Sequence, residues 1–102
     1  MWNSLRMSGR KQSKMNRHQV SFMDIHIGTE ALSRELDRRL SQHGFGIFVS
    51  KHEALGVINE EVHELHDAVK DNNLDEVAAE LLDVAVAALF GYISVKTQKM
   101  DW

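Results

Sequence analysis

The sequence predicts an all-α fold, an antiparallel helical bundle, on three observations. The 102 residues contain no proline and only 7% aromatic residues, which argues against a sandwich of short strands and for long uninterrupted helices. From Thr29 onward, apolar residues recur at spacings of three and four. Two stretches, Ser50-Lys51-His52-Glu53 and Asn73 with Glu76, carry the polar pattern that opens a helix by satisfying its first free amides.

The first helix is expected from Thr29, as N-cap, to about Gln42. Leu32, Leu36 and Leu40 form one narrow apolar stripe, and Arg34, Glu35, Asp37, Arg38 and Arg39 fill the remaining face. Gly44 and Gly46 break it, leaving Gly44-Phe45-Gly46-Ile47-Phe48 as an aromatic-bearing connection. A second helix should run from about Lys51 to Lys70, its apolar seam Leu55, Ile58, Val62, Leu65 and Val69 turned toward a partner helix. Asp71-Asn72-Asn73 ends it, and a third helix should reach Val95 or Lys99. A connection this short makes the last two helices an antiparallel hairpin.

Composition bounds the rest. At this length the chain holds one domain, and a monomer would bury roughly 60 to 65% of its surface, so completion of the core by oligomerisation is expected. The absence of cysteine excludes disulfides, thiolate zinc sites and cysteine nucleophiles, and leaves oxygen or imidazole for any metal. Arg6, Arg10, Lys11, Lys14 and Arg17 give the first twenty residues a charge of +5 against −8 for the other 82. Residues 1–23 read as a basic, disordered segment and 24–102 as one helical domain. No aromatic interleaving marks the basic segment for nucleic acid and no continuous apolar run marks it as a secretory signal. A cytoplasmic protein without membrane or nucleic-acid partners is expected.

The informative residues are acids. Glu61 and Glu64 stand three apart on the second helix in a row with Ala54, Val57 and Ala68 that adjoins the apolar seam. On the third helix Asp83 is the one acid among the fifteen residues from Leu81 to Val95, and Glu80 lies three before it on the same side. An unpaired carboxylate in so apolar a helix costs several kcal/mol or stays protonated unless a cation or strong donors compensate it. If the two faces meet, four carboxylates converge with few basic residues nearby. A divalent cation resolves the repulsion, and an all-oxygen ligand set with room for water suits Mg²⁺ or Mn²⁺. Such a metal held against phosphate oxygens is the usual arrangement for phosphoryl and nucleotidyl chemistry.

Glu60-Glu61-Val62-His63-Glu64 and, after fifteen intervening residues, Glu80-Leu81-Leu82-Asp83 resemble the EExxE…ExxD motif of the MazG-like, all-α nucleoside triphosphate pyrophosphohydrolases. The resemblance spans Phe45 to Val95 and extends to His52-Glu53-Ala54-Leu55-Gly56-Val57-Ile58 before the first acids. It implies an α-helical bundle that cleaves a nucleoside triphosphate between its α and β phosphates, giving the monophosphate and pyrophosphate, in nucleotide-pool housecleaning. By the family's pattern Mg²⁺ is held by Glu61, Glu64, Glu80 and Asp83, and Glu60, with Glu61 the catalytic pair, positions or deprotonates the attacking water. The resemblance further implies a homodimer or homotetramer with helices shared across interfaces, base recognition by Phe45, Phe48 or His52, and Lys96 and Lys99 as the basic groups for phosphate.

Four rivals stand beside this. A di-iron carboxylate bundle needs two Glu-x-x-His pairs, and Glu60-x-x-His63 is matched by no histidine on the third helix. His52-Glu53-Ala54-Leu55-Gly56 lacks the second histidine of a zincin helix. A helical interaction module with solvated acids predicts that alanine at Glu61 or Asp83 leaves folding and the Mg²⁺ response unchanged, and a family member that binds nucleotides without hydrolysing them is a further alternative.

Overall fold

A computed structural model describes residues 17–97, so the disorder expected of the first sixteen residues and the role given to Lys99 lie outside the described residues. Three helices follow one another, α1 (Phe22–His43), α2 (Lys51–Lys70) and α3 (Leu74–Lys96), and the described residues contain no strand. The all-α expectation holds.

The start of α1 differs from the reading above. Ser21 caps it in a reciprocal box, its Oγ accepting from the Asp24 amide at 3.0 Å while Asp24 Oδ2 accepts from the Ser21 amide at 2.9 Å. Thr29 is no cap: it lies two turns inside, and its hydroxyl donates to the carbonyls of Ile25 and His26. The Ser-x-x-Asp pattern at residues 21–24 carried the true signal, and the helical domain therefore begins before Asp24. At the other end Gly44, at φ 92°, donates its amide to Leu40 O, a left-handed stop that a side chain would strain.

The hairpin forms as expected. Ser50 Oγ accepts from the Glu53 amide, Glu53 Oε1 accepts one residue further out from the Val49 amide, and Asn73 Oδ1 accepts from the Glu76 amide. Asn72, at φ 58°, makes the left-handed step between the helices that asparagine tolerates. The expected seam of α2 is covered only in its middle, where Ile58, Val62 and Leu65 are half-buried. Leu55 and Val69 are exposed, whereas Ala68 is buried and Ala54 faces Gly91 closely. The face of α2 turned to α3 is thus rotated toward the row that contains Glu61, because alanine and glycine let two helix backbones approach where leucine would hold them apart.

On α3 the inward row is Glu80, Asp83, Ala87, Gly91 and Ser94. Ser94 is fully buried, donates to Phe90 O at 2.8 Å and accepts the Phe48 amide at 3.2 Å, so it fastens the aromatic connection to the helix end. Phe48 meets Phe90 edge to face, centroids 4.9 Å apart. Within the single chain this apolar helix is not covered all round. Leu81 (52%) and Tyr92 (64%) stand exposed on its other side, and α1, which packs on α3, covers only part of it.

Candidate metal centre

The placement of the acids follows from the register of the hairpin. Ala54 lies against Gly91, so in an antiparallel pair with equal rise Glu61 comes level with Asp83 and Val84, and Glu64 with Glu80 and Leu81. These are the same inward rows that carry Ala54 and Ala68 on one helix and Ala87 and Ser94 on the other. The carboxylates occupy core-facing positions. One ligand oxygen from each of Glu61, Glu64, Glu80 and Asp83 lies within 4.8 Å of all the others, and three of the four side chains are partly buried.

Such proximity has an electrostatic consequence. Burial raises the Glu61 carboxyl above its usual range, and the charges of Glu64 and Asp83 push it further. Glu80 is raised by the same two effects, burial first and then Asp83 and Glu64. Glu61 Oε2 and Glu80 Oε2 are buried yet accept no hydrogen bond from any described residue. A buried acceptor left unsatisfied costs about 1–3 kcal/mol, more when charged. Four hard oxygen donors, two of them with an unpartnered buried oxygen, fit a divalent cation of the Mg²⁺ or Mn²⁺ type and offer nothing to a soft metal.

The sequence reading missed Arg39. Its Nη2 donates to Asp83 Oδ1 at 2.5 Å, its Nη1 stands 3.9 Å from Glu61 Oε1, and its Nε donates to Glu35 Oε2 at 3.3 Å. The expectation of few basic groups near the acids therefore needs correction: α1 delivers a guanidinium into the cluster. Glu35 and Arg39, counted with the solvated face of α1, lie on the flank of its leucine stripe that turns toward α3. The signal was present as the i, i+4 spacing of Glu35 and Arg39 beside Leu36 and Leu40, but periodicity alone does not say which edge of a stripe faces a neighbour.

The remaining candidates lie elsewhere. Glu60 is exposed on α2, one step of about 100° round from Glu61, and is not among the four converging acids. Phe45 is exposed in the connection, His52 is exposed in the first turn of α2, and Phe48 is engaged in packing against Phe90. Lys96 ends α3, thirteen residues from Asp83, about 20 Å along the axis, so within one chain it does not reach a phosphate held at the acids. Phe48, His52 and Lys96 thus gather at the open end of the hairpin. His63 and His66 are exposed, as polar-face residues should be.

The sequence model of a family described as phosphoribosyl-ATP pyrophosphohydrolase matches residues 29–98, which takes in most of α1, the whole hairpin and both acidic motifs. No curated protein and no solved structure matches the chain.

Proposed function

Since the chain belongs to the phosphoribosyl-ATP pyrophosphohydrolase family, within the MazG-like all-α superfamily, we propose that it is a Mg²⁺-dependent pyrophosphohydrolase acting on a nucleoside 5′-triphosphate, phosphoribosyl-ATP foremost. Water adds at the α phosphorus, the bond from that phosphorus to the bridging oxygen of the β phosphate breaks, and the nucleoside monophosphate and pyrophosphate leave. The observation that carries this reading is the convergence of Glu61, Glu64, Glu80 and Asp83, with ligand oxygens within 4.8 Å.

In this reading those four acids hold the cation. A bound Mg²⁺ supplies charge neutralisation for the triphosphate and lowers the pKa of the attacking water. Glu60, next to the cluster and in solvent, receives the proton that this water loses. Glu61 forms the catalytic pair with Glu60 through its hold on the cation. Phe45, Phe48 and His52 flank the open end of the hairpin, where the nucleoside moiety would lie, and Lys96 meets phosphate only when a second subunit brings it close.

Self-association belongs to the same proposal. Leu74, Ala78, Leu81, Ala88, Tyr92 and Val95 are exposed at alternating spacings of four, three, seven, four and three along α3. That is the seam of a helix built to pack on another helix. By length and composition α3 is also apolar enough to cross a membrane. Glu80 and Asp83 near its middle, facing Arg39 and the acids of α2, favour a second copy over lipid, in keeping with a cytoplasmic protein.

A panel containing phosphoribosyl-ATP and the common nucleoside triphosphates, each with and without Mg²⁺, tests the reaction. Pyrophosphate released in step with monophosphate, and only with metal, supports it. Orthophosphate alone refutes the proposed bond of cleavage, and binding without turnover leaves the nucleotide-binding alternative in its place.

A further inference from the structure

We propose that Arg39 is the resident counter-cation of the acid cluster and competes with the divalent metal for it, so that an α1 side chain sets the metal concentration at which the site loads. The inference rests on the metal reading above and adds a residue that the acidic motifs do not contain.

The guanidinium is held at two ends. Glu35 of the same helix accepts from its Nε, and Asp83 accepts from its Nη2, while Glu61 Oε1 stands 3.9 Å from its Nη1. Its side chain is 26% exposed, so screening by solvent is incomplete. Glu35 is itself gripped by Arg38, which anchors the tether on α1. The charged groups around the guanidinium are thus Glu35 and Arg38 from α1, Glu61 and Glu64 from α2, and Glu80 and Asp83 from α3.

In that setting Arg39 does what a metal would do, and it does so incompletely. It neutralises Asp83 and eases Glu61, yet Glu61 Oε2 and Glu80 Oε2 still have no donor. A second cation brought to those oxygens meets the first at short range, and like charges that close repel strongly at low effective dielectric. Arginine does not shed its proton to relieve the conflict. The guanidinium either swings off Asp83 or stays and weakens the metal's hold. In both cases metal binds less tightly than the four acids alone would allow, while the metal-free fold is spared their full repulsion.

Mn²⁺ titration of the full chain without nucleotide, followed by electron paramagnetic resonance of the free ion, tests this with the wild type, Arg39→Gln and Arg39→Lys. The Gln variant is expected to bind Mn²⁺ about three- to tenfold more tightly, to melt at a lower temperature without metal, and to show a larger Mn²⁺-induced rise in Tm. The Lys variant keeps the charge but loses the two-ended grip, and should bind about twofold more tightly. Equal or weaker affinity in the Gln variant overturns the proposal, and the Lys variant decides in the same way should the Gln variant not fold. If wild-type protein binds no Mn²⁺, the metal reading itself fails, which is a different result from a failure confined to Arg39.

Discussion

At the scale of single residues, the four acids are a strain on the fold that the proposed cation would relieve. Glu61 carries a charge that burial and its acidic neighbours disfavour, and one of its oxygens has no partner among the described residues. Glu61→Gln removes the charge at nearly constant volume and gives the neighbouring acids an amide donor. The metal-free variant should therefore melt higher, by about 4–8 °C for each kcal/mol of repulsion relieved. Its Mg²⁺-induced rise in Tm should disappear. Turnover should fall by more than the roughly 10–100-fold typical of losing a group that merely supports a ligand. Thermal melts with and without Mg²⁺, alongside pyrophosphate release, separate this from the view that the acids are solvated decoration, in which neither Tm nor the Mg²⁺ response moves. Glu60→Gln makes a contrasting variant: as a group outside the cluster it should lose turnover while keeping the Mg²⁺-induced rise in Tm.

At the scale of the helices, caps and ion pairs set how α1 is held and how it responds to acid. The Arg38 guanidinium, hydrogen-bonded to Glu35, holds that carboxyl down to about 2, and the bonds from Ser21 lower Asp24. A carboxyl whose folded pKa lies below its unfolded value stabilises the fold above the unfolded pKa and loses that contribution as pH falls. Tm should accordingly drop as pH falls from about 4.5 toward 2, and Glu35→Gln, which forfeits that contribution at neutral pH, should lower Tm there and flatten this part of the profile. At the far end of the molecule, Ser94→Ala strips a buried acceptor from the Phe48 amide. Denaturant melts should record a loss of about 1–3 kcal/mol. The helices themselves were legible because polar caps and apolar spacing are local signals: Ser50 and Asn73 announced α2 and α3 to the residue. The convergence of the acids was legible for a related reason, since two i, i+3 pairs on the arms of one short hairpin have few ways to avoid each other. Arg39 was not legible, because its partner lies forty-four positions away on another helix and nothing local says that α1 rests on α3 at that level. The seam of α2 was misjudged at its two ends for a similar reason: apolar spacing included Leu55 and Val69, but close backbone approach at Ala54 and Gly91 turned the contact away from them.

At the scale of the whole molecule, one chain leaves too much apolar surface in water. Phe22, Met23, Ile25 and Ile27 are exposed in the first turns of α1, Leu55 and Val69 at the two ends of the α2 seam, and Leu74, Leu81, Tyr92 and Val95 along α3. Among the described residues the fully buried apolar side chains are Ala68, Val86 and Ala87, a small core for a helical domain. A second copy laid on the middle and C-terminal part of the α3 row would cover leucine, alanine and tyrosine side chains without burying Glu80 or Asp83, which point the other way, toward Arg39 and α2. The same row is thus free of the cost that would penalise burial of the acidic face. Tyr92→Glu and Leu81→Lys place a charge on it and should convert the oligomer proposed for the wild type to smaller species in size-exclusion chromatography with light scattering, with Tm falling and becoming independent of protein concentration. A charge on the exposed α1 face, as in Ile27→Glu, provides the control for a surface effect. If wild-type protein is monomeric at micromolar concentration, or if the two α3 variants run as the wild type does, the row has no partner of its own kind, and delivery of Lys96 from a neighbouring subunit to phosphate is lost with it.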